Sequence, residues 1–224
     1  IGGSWANGEK QHYTERTDNS FVSDGTLKIV AKRETYTFEG SRKSFTSARL
    51  NSKFELEYGR IDVRAKLPSA EGTWPAIWTL GTNVGERGNY HGTTAGNVGW
   101  PACGEIDIME QDGTDKEKLY GTFHWADASS GQNASYGLTK TRAVLGIRTP
   151  SADFHLYSLV WSPVTLKIFV DNLLLVQLTN SSSVPFDNPH YLLLNIAMGG
   201  TLGGSIPSSF SQDTMEVDYV RFYQ

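Results

Sequence analysis

An alternation of polar and apolar side chains recurs along the chain and constrains its fold more than any other feature. Residues 60–67 alternate in this way over eight positions, and a period of two is typical of a half-buried β-strand. The same pattern, or a run rich in β-formers, occurs in five further segments: 27–32, 166–170, 173–178, 191–197 and 215–219. No segment shows helical periodicity over three turns. The sequence therefore predicts an all-β fold.

Turn signals separate these strands. Asp171-Asn172 lies between two β-rich runs and predicts a tight hairpin. The 23 glycines suit many turns, and many short strands with turns between them indicate a sandwich or a barrel. The 224 residues contain no evident repeat, linker or low-complexity segment. We therefore expect a single domain over residues 1–224, long enough to bury a substantial core.

The segment 104–111, Gly-Glu-Ile-Asp-Ile-Met-Glu-Gln, has the strongest functional signal. It places three carboxylates within six residues, among apolar β-formers: Glu105, Asp107 and Glu110. Like charges on one strand repel, and ionised groups beside apolar side chains resist the loss of water. Because such an arrangement is costly to fold, these acids are the first candidates for catalysis.

Strict alternation would send Glu110 into the core of the protein. Glu105 and Asp107 share one face of a strand, whereas Ile108 lies on the other. One β-bulge near Ile108-Met109 adds a residue and returns Glu110 to the acidic face. We therefore predict a bulge at this point, with all three acids on one face.

Paired carboxylates on one face suit glycoside hydrolysis, in which one attacks the anomeric carbon and the other protonates the leaving oxygen. Two glutamates that lean together can reach about 5–5.5 Å between carboxyls, the separation in a retaining enzyme. Asp107 between them would help to hold Glu105 ionised and in position, and would raise the pKa of the other glutamate. An acidic surface strand or a divalent cation site would also explain the pattern, although the EF-hand sequence is absent.

Aromatic residues near the acidic strand favour a sugar-binding cleft. The chain has six tryptophans, and aromatic faces stack on the C–H faces of sugars much as on other flat apolar groups. Four are candidate substrate contacts: Trp74, Trp78, Trp100 and Trp125. Trp74 and Trp78 are four residues apart, so they face the same side of a strand. The alternative is core packing, which we expect for one or two of the six, with three or more in the cleft.

Three polar residues are further candidates for substrate contact. Arg49 is expected to donate to sugar hydroxyls or to Glu105, with a surface salt bridge as the alternative. His124 faces opposite to its two aromatic neighbours in a regular strand, and would orient the acid/base, touch the sugar or serve as a structural histidine. Asn195 lies in an apolar strand and needs partners, which sugar hydroxyls or a backbone loop would supply.

Residues 105–110, Glu-Ile-Asp-Ile-Met-Glu, resemble the signature of glycoside hydrolase family 16. Other segments resemble the laminarinase branch of that family and keep its order over essentially the whole chain: 11–14, 23–27, 47–50, 58–65, 74–78 and 218–221. The resemblance implies a β-jelly-roll sandwich of two curved antiparallel sheets, with the substrate cleft across the concave face. It also implies a secreted, endo-acting enzyme that cuts β-1,3-glucan with retention.

Motif positions in the family assign the roles. They make Glu105 the nucleophile, Glu110 the acid/base and Asp107 a helper. Met109 is the extra residue that distinguishes the laminarinase signature from the lichenase one. Asn7 resembles the family's N-terminal subsite segment. Family domains usually begin with one further strand, which we expect to be absent here because the chain starts after that point.

The resemblance implies no cofactor for catalysis, but many family members hold a structural Ca2+ on the convex side. Its ligands in those members are an N-terminal acid, a backbone carbonyl and the acid of the last strand. Gly25 and Asp218 match the second and third of these positions. Waters would complete the six to eight oxygens that calcium takes.

Composition argues against several classes of partner. The net charge is −4 and no basic run occurs, so nucleic acid is not expected to bind. No apolar stretch approaches the roughly 20 residues of a membrane span. The expected partner is a β-glucan polysaccharide or oligosaccharide, bound by a monomer because such a cleft needs an open face. Cys103 is the only cysteine, so no internal disulfide forms, and we expect it to be a buried filler.

Two long stretches, 81–103 and 127–151, are rich in Gly, Asn, Thr and Ser, and we predict irregular loops there at the cleft rim. Two rival functions stay open at this point. A mixed-linkage β-1,3-1,4-glucanase would share the carboxylates and differ in the subsite loops. A non-catalytic glucan-binding lectin would share the fold, but such proteins typically lose one carboxylate. Agarase or carrageenase activity would favour a more basic cleft.

Overall fold

The computed structural model describes residues 6–184 and 186–224, most of them in strands. The strands of these residues are numbered in chain order: β1 (Gln11–Tyr13), β2 (Ser20–Ser23), β3 (Thr26–Phe38), β4 (Ser41–Ser47), β5 (Arg49–Leu56), β6 (Gly59–Lys66), β7 (Thr73–Gly81), β8 (Glu105–Gln111), β9 (Lys118–Ala126), β10 (Asn133–Thr141), β11 (His155–Trp161), β12 (Thr165–Val170), β13 (Leu173–Thr179), β14 (His190–Met198) and β15 (Gln212–Tyr223). The helical segments are a 3-10 turn at Ala6–Gly8, α1 (Arg142–Leu145) and α2 (Gly200–Gly203). In the part of the chain that is described, no helix combines the length and apolar character needed to cross a membrane.

These strands form two sheets. We call the first the acidic sheet, because β8 carries the three acids; its spatial order is β10-β9-β8-β7-β14-β5. We call the second the back sheet; its order is β1-β4-β3-β15-β6-β11-β12-β13, with β2 also paired to β3. The strand pairs of the described residues are antiparallel except β1 and β4, which run parallel. The predicted all-β jelly roll is confirmed, with this one parallel pair added to it.

The hydrophobic core lies between the two sheets. Ile77 and Ile106 reach it from the acidic sheet, and Ile61 and Leu159 reach it from the back sheet. Full burial of one such side chain stabilises the fold by about 1.5–3 kcal/mol. The alternation in the sequence therefore arises because one face of each strand packs against this core and the other faces away from it.

Most predicted strands are confirmed. The predicted strand over residues 60–67 is β6 within one residue at each end, and the β-rich runs 166–170 and 173–178 lie in β12 and β13. Asp171 and Asn172 join these two strands with φ angles of 48° and 65°. Positive φ at both central residues is what a type I′ hairpin turn requires. Asn and Asp tolerate this conformation better than most residues, which is why the dipeptide marked the turn.

The prediction of an irregular loop over residues 127–151 is wrong in part. This stretch contains β10 and α1. β10 is an edge strand of the acidic sheet and is largely exposed, so its sequence needs no buried apolar face. A strand without a buried face lacks the signal on which the sequence prediction relied. The stretch 81–103 is irregular as predicted, apart from one isolated bridge between Val84 and Val98.

Candidate active site

The three acids lie on one face of β8, because a bulge interrupts its alternation. Asp107 pairs with Thr122 of β9 while Glu110 pairs with Tyr120, so three steps on β8 match two on β9. The extra residue leaves Ile108 and Met109 both fully buried in the core. The predicted bulge and the common face of the acids are confirmed.

Backbone geometry also fixes the start of the acidic strand. Gly104 precedes Glu105 with a φ of 77°, a conformation that L side chains rarely adopt. A Cβ atom at this position would lie 3.1 Å from the His190 ring. Gly104 thus allows the chain to enter β8 closely against β14, which sets where the first acid points.

Electrostatics in this cluster favour protonated carboxyls. Burial raises the pKa of Glu105 well above its usual range, and the Asp107 charge raises it further. Burial and the Glu110 charge also raise the pKa of Asp107 well above its usual range. Burial raises the pKa of Glu110 as well, although hydrogen bonding from Trp74 lowers it. Three neighbouring acids with raised pKa values can keep one proton near neutral pH, which is what a general acid needs.

His124 is the cationic candidate among these acids. Its Nε2 lies 3.3 Å from Asp107 Oδ2 and 3.9 Å from Glu105 Oε1. The ring faces the acids because His124 sits directly opposite Glu105 in the β8–β9 pairing. A protonated imidazole would offset part of the negative charge, and its charge lowers the pKa of Glu105.

Two tryptophans hold the outer carboxyls through their indole N–H groups. Trp74 Nε1 donates to Glu110 Oε1 at 2.8 Å. Trp100 Nε1 donates to Glu105 Oε2 at 3.1 Å. A hydrogen bond from N–H to a carboxylate stabilises the ionised form. Both residues line the cleft as predicted, but their polar edges, and not only their ring faces, contribute to the site.

A chain of hydrogen bonds connects the cleft wall to the N-terminal segment. Trp78 Nε1 donates to Asn195 Oδ1 at 2.7 Å, and Asn195 Nδ2 donates to the Tyr13 hydroxyl at 3.0 Å. That hydroxyl in turn donates to Glu9 Oε2 at 3.3 Å. Asn195 therefore finds its partners in two cleft side chains rather than in a backbone loop. Trp74 and Trp78 both line the cleft, so they share a face as predicted.

Arg49 also lines the cleft, and Glu86 is an acidic partner for it. Arg49 Nη2 donates to Glu86 Oε1 at 2.6 Å, and the guanidinium carbon lies 4.9 Å from the centre of the Trp78 ring. Tyr191 donates to the same Glu86 oxygen. These contacts dock the 81–103 loop against β5 and β14. Sequence reasoning expected a sugar or Glu105 as the partner. It missed Glu86, because nothing in a Gly- and Asn-rich loop singles out that residue.

Trp125 does not join the cleft. It lies one residue after His124 on β9, so its side chain points to the opposite face. There its ring packs against Phe186, with centroids 6.2 Å apart, and against the core. The prediction of a substrate contact at Trp125 is corrected accordingly, since strand parity separates it from the acids.

The cleft itself has a volume of about 390 Å³. Its lining combines the acids with aromatic and polar residues: Ala6, Asn7, Glu9, Tyr13, Arg49, Trp74, Ala76, Trp78, Leu80, Val84, Gly85, Glu86, Gly99, Trp100, Glu105, Asp107, Glu110, Asn195 and Ala197. Asn7 thus lies in the cleft wall, in the short 3-10 turn before β1. Among the polar lining side chains, Tyr13 and Glu86 are two that sequence reasoning missed.

Cys103 is buried beside the site and has no catalytic character. It packs in a small cluster with Leu80, Val84, Tyr191 and Leu193. Burial raises the pKa of its thiol to about 12, so the reactive thiolate is scarce at neutral pH. The structure supports the predicted role of a buried filler.

Metal binding can be assessed from the donor atoms. Within the described ranges, the one group of three or more His, Cys, Asp or Glu side chains that could hold an ion is Glu105, Asp107 and His124. At the predicted calcium position, Asp218 is paired with Arg64. One carboxylate engaged by a guanidinium does not supply the six to eight oxygens of a calcium site. The described residues therefore do not fit calcium by themselves, and the ion at Gly25 and Asp218 stays a prediction.

The family model and two similar solved structures point to the same family. The family model for glycosyl hydrolases family 16 matches residues 7–221. A LamA variant from Zobellia galactanivorans, solved in complex with laminaritriose and laminaritetraose, is 58% identical with a TM-score of 0.94, and the match covers 99% of this chain and 88% of that one. The laminarinase catalytic domain from Thermotoga maritima is 39% identical with a TM-score of 0.83, covering 98% and 85% of the two chains.

A longer relative extends the comparison. The glucan endo-1,3-beta-glucosidase A1 of Niallia circulans is 36% identical over 98% of this chain, which spans only 33% of that protein's length. The family model nonetheless matches almost the entire sequence, including the acidic strand and the cleft. By this match, and by a jelly roll with three cleft carboxylates, the chain belongs to glycosyl hydrolases family 16.

Proposed function

We propose that this chain is an endo-1,3-β-glucanase that hydrolyses laminarin-type β-glucans with retention of configuration. The observation that carries the proposal is the common face of Glu105, Asp107 and Glu110, in a tryptophan-lined cleft where burial and mutual charge raise their pKa values. Two carboxyls of unequal role are what a double displacement requires.

In the first step of the proposed mechanism, a carboxylate oxygen of Glu105 attacks the anomeric carbon as the glycosidic C–O bond breaks. Glu110 donates its proton to the departing oxygen, so the leaving sugar departs as a neutral alcohol. In the second step Glu110, now ionised, takes a proton from water. The water oxygen attacks the anomeric carbon as it loses this proton, and the bond from that carbon to Glu105 breaks. Two inversions give net retention.

Asp107 influences how the cluster shares its proton. It lies between the two glutamates and beside His124. Its negative charge raises the pKa of Glu105, so the shared proton must lie on another carboxyl of the cluster when Glu105 attacks. The Asp107–His124 contact at 3.3 Å provides a place for the compensating positive charge.

The proposed substrate follows from the shape of the cleft and from the relatives. Trp74, Trp78 and Trp100 give the cleft apolar faces for sugar rings, and Arg49 and Asn195 add polar groups. Laminaritriose and laminaritetraose bind the Zobellia relative, which supports a β-1,3-linked glucan here. We further propose that the chain acts outside the cell and as a monomer. Size-exclusion chromatography with light scattering would test the oligomeric state.

The test of the function is product analysis on laminarin and on lichenan, for the wild type and for Glu105→Ser. We expect rapid release of oligosaccharides from laminarin, loss of this activity in the variant, and β-configured reducing ends first in proton NMR. Inverted products would contradict the retaining mechanism. Faster attack on lichenan would contradict the β-1,3 assignment and favour the mixed-linkage alternative. Binding of laminarin without hydrolysis would favour the lectin.

A further inference from the structure

Trp74 holds the proposed acid at one oxygen only. Its Nε1 donates to Glu110 Oε1 at 2.8 Å. Among the described residues, no other side chain donates a hydrogen bond to this carboxyl. The two residues lie on adjacent strands, β7 and β8, where Glu110 pairs with Ala76. Trp74 is two residues further along the same face of β7, so strand register rather than chance rotation brings its indole to the acid.

This geometry distinguishes the two oxygens of the acid. Indole Nε1 is a donor only, so an acid proton on Oε1 would compete with the indole hydrogen for the same oxygen. The proton therefore belongs on Oε2. As it moves to the leaving oxygen, negative charge develops on the carboxyl, and a hydrogen bond to a charged acceptor is stronger than one to a neutral acceptor. An interaction that strengthens along the reaction lowers its barrier.

We propose that Trp74 is a positioning residue for the acid: its indole N–H directs the acid proton to Glu110 Oε2 and stabilises the charge that forms when this proton leaves. The inference rests on the proposed function, because it assigns a proton donor to the reaction described above. It adds a role for Trp74 that stacking on sugars would not require.

The other groups that act on this acid differ from Trp74 in kind. Asp107 and Glu9 bring negative charge, and His124 brings positive charge when protonated. Tyr120, opposite Glu110 on β9, gives its hydroxyl hydrogen to Asp112 instead. None of these donates a hydrogen bond to the acid among the contacts of the described residues.

Trp78 offers a matched control on the same strand and the same face. Its Nε1 donates to Asn195 at 2.7 Å, a similar bond to a neutral partner away from the acids. Both tryptophans line the cleft. A change of either to phenylalanine keeps an aromatic ring and removes one N–H. A difference between the two variants therefore reports on the bond to the acid.

The experiment compares kcat/KM on laminarin with kcat/KM on 2,4-dinitrophenyl β-laminaribioside. The dinitrophenolate leaves without protonation, so its departure does not need the acid. The ratio kcat/KM reports bond cleavage from the free enzyme and not later hydrolysis of the glycosyl-enzyme. Activity on the aryl glycoside also serves as evidence that each variant is folded.

We expect Trp74→Phe to lower kcat/KM on laminarin about 10- to 100-fold, as for loss of a hydrogen bond to a charged group, and to change kcat/KM on the aryl glycoside less than about 3-fold. Trp78→Phe should affect both substrates by the same factor. Equal losses on both substrates for Trp74→Phe, or no loss on laminarin, would overturn the proposal and leave Trp74 as a binding surface.

A second measurement does not need a variant of Trp74. In ¹⁵N-labelled wild-type protein, the Trp74 indole resonance should shift with pH as Glu110 titrates, and this response should disappear in Glu110→Gln. A pH-independent resonance would overturn the proposal.

The variant Glu110→Ala separates the proposed role of Trp74 from the proposed function. If that variant still cleaves laminarin as well as wild type, Glu110 is not the acid, and the role of Trp74 fails with it while the glucanase activity stands. If the variant cleaves only the aryl glycoside, Glu110 is the acid and the Trp74→Phe comparison tests Trp74 alone.

Discussion

Two strands of this protein share an acidic pattern and give it opposite chemistry. β8 carries Glu105-Ile-Asp107, and β15 carries Glu216-Val-Asp218. Glu216 lies 2.5 Å from both Lys28 Nζ and Lys66 Nζ, and hydrogen bonds from these lysines lower its pKa to about 2. On β8 the pKa of Glu105 is raised instead. An acid in every second position is therefore not by itself a catalytic signal.

The neighbouring strands make the difference. β15 lies between β3 and β6, which present Lys28 and Lys66 to Glu216. β8 lies between β7 and β9, whose residues opposite the acids include Trp78, Thr122 and His124. Two ammonium groups lower the pKa of Glu216 and hold it ionised at neutral pH, whereas indole, hydroxyl and imidazole groups lie opposite the β8 acids, whose pKa values are raised. Four changes would break or sharpen this contrast.

The largest effect is expected from the same substitution on the two strands. Glu105→Gln should lower kcat on laminarin by at least about 10⁴-fold, because it removes the nucleophile. Glu216→Gln should leave kcat within about 2-fold, because it lies on the back sheet. Steady-state assays on both purified variants make the comparison. A similar loss in the two variants would show that the contrast between the strands is not functional.

Asp107→Asn should lower kcat about 100-fold and change the pH profile. The Asp107 charge raises the pKa of Glu105, so its removal lowers that pKa. The nucleophile must be ionised, and the acidic limb of kcat/KM should therefore move to lower pH. The measurement is the pH dependence of kcat/KM for wild type and variant. An acidic limb that stays in place or moves to higher pH would contradict the coupling.

A lysine placed on β9 should make β8 resemble β15. Thr122 lies opposite Asp107, and Thr122→Lys would bring an ammonium group to the acids. The pKa values of the acids should fall, so the proton needed for catalysis is lost at lower pH. We expect about 10-fold less activity at pH 7 and a basic limb moved to lower pH. Thr122→Met is the control for size, and an equal effect from it would assign the loss to steric hindrance.

The smallest effect concerns stability. The pKa of Glu216 is lowered from 4.5 to about 2 in the folded protein, so its contribution to stability is present above pH 4.5 and is lost as pH falls through this window. Glu216→Gln should reduce the free energy of unfolding by about 1–2 kcal/mol at pH 7, since partial exposure screens the pairs. The difference from wild type should vanish near pH 2. Urea unfolding at several pH values measures it, and a pH-independent difference would contradict the electrostatic origin.

The acidic cluster shows how far local pattern reaches. The bulge on β8 could be predicted because Glu110 breaks the alternation that Glu105 and Asp107 begin, and only an extra residue returns it to their face. The same parity argument places His124 with the acids and Trp125 against Phe186. The sequence prediction assigned both His124 and Trp125 to the substrate, although consecutive residues of a strand point to opposite faces.

Contacts between distant segments could not be predicted in this way. Glu86 lies 37 residues from Arg49 in the chain, within a loop that has no periodic pattern. Its position depends on how that loop docks against β5 and β14. β10 was missed for a related reason, since its exposed faces leave no apolar alternation to detect.

By itself, the sequence determined that the chain is all-β, that β8 presents three acids on one face, and that tryptophans lie near them in the chain. The first two features follow from side-chain alternation and its single break, which depend only on residues close together in the chain. The tertiary structure alone decided which polar group meets each acid: the Trp74 N–H at Glu110, His124 beside Asp107, and the lysines at Glu216. The reason is that partners across strands are set by register and sheet order, which bring together residues far apart in the chain, and those partners fix whether an acid can exchange its proton.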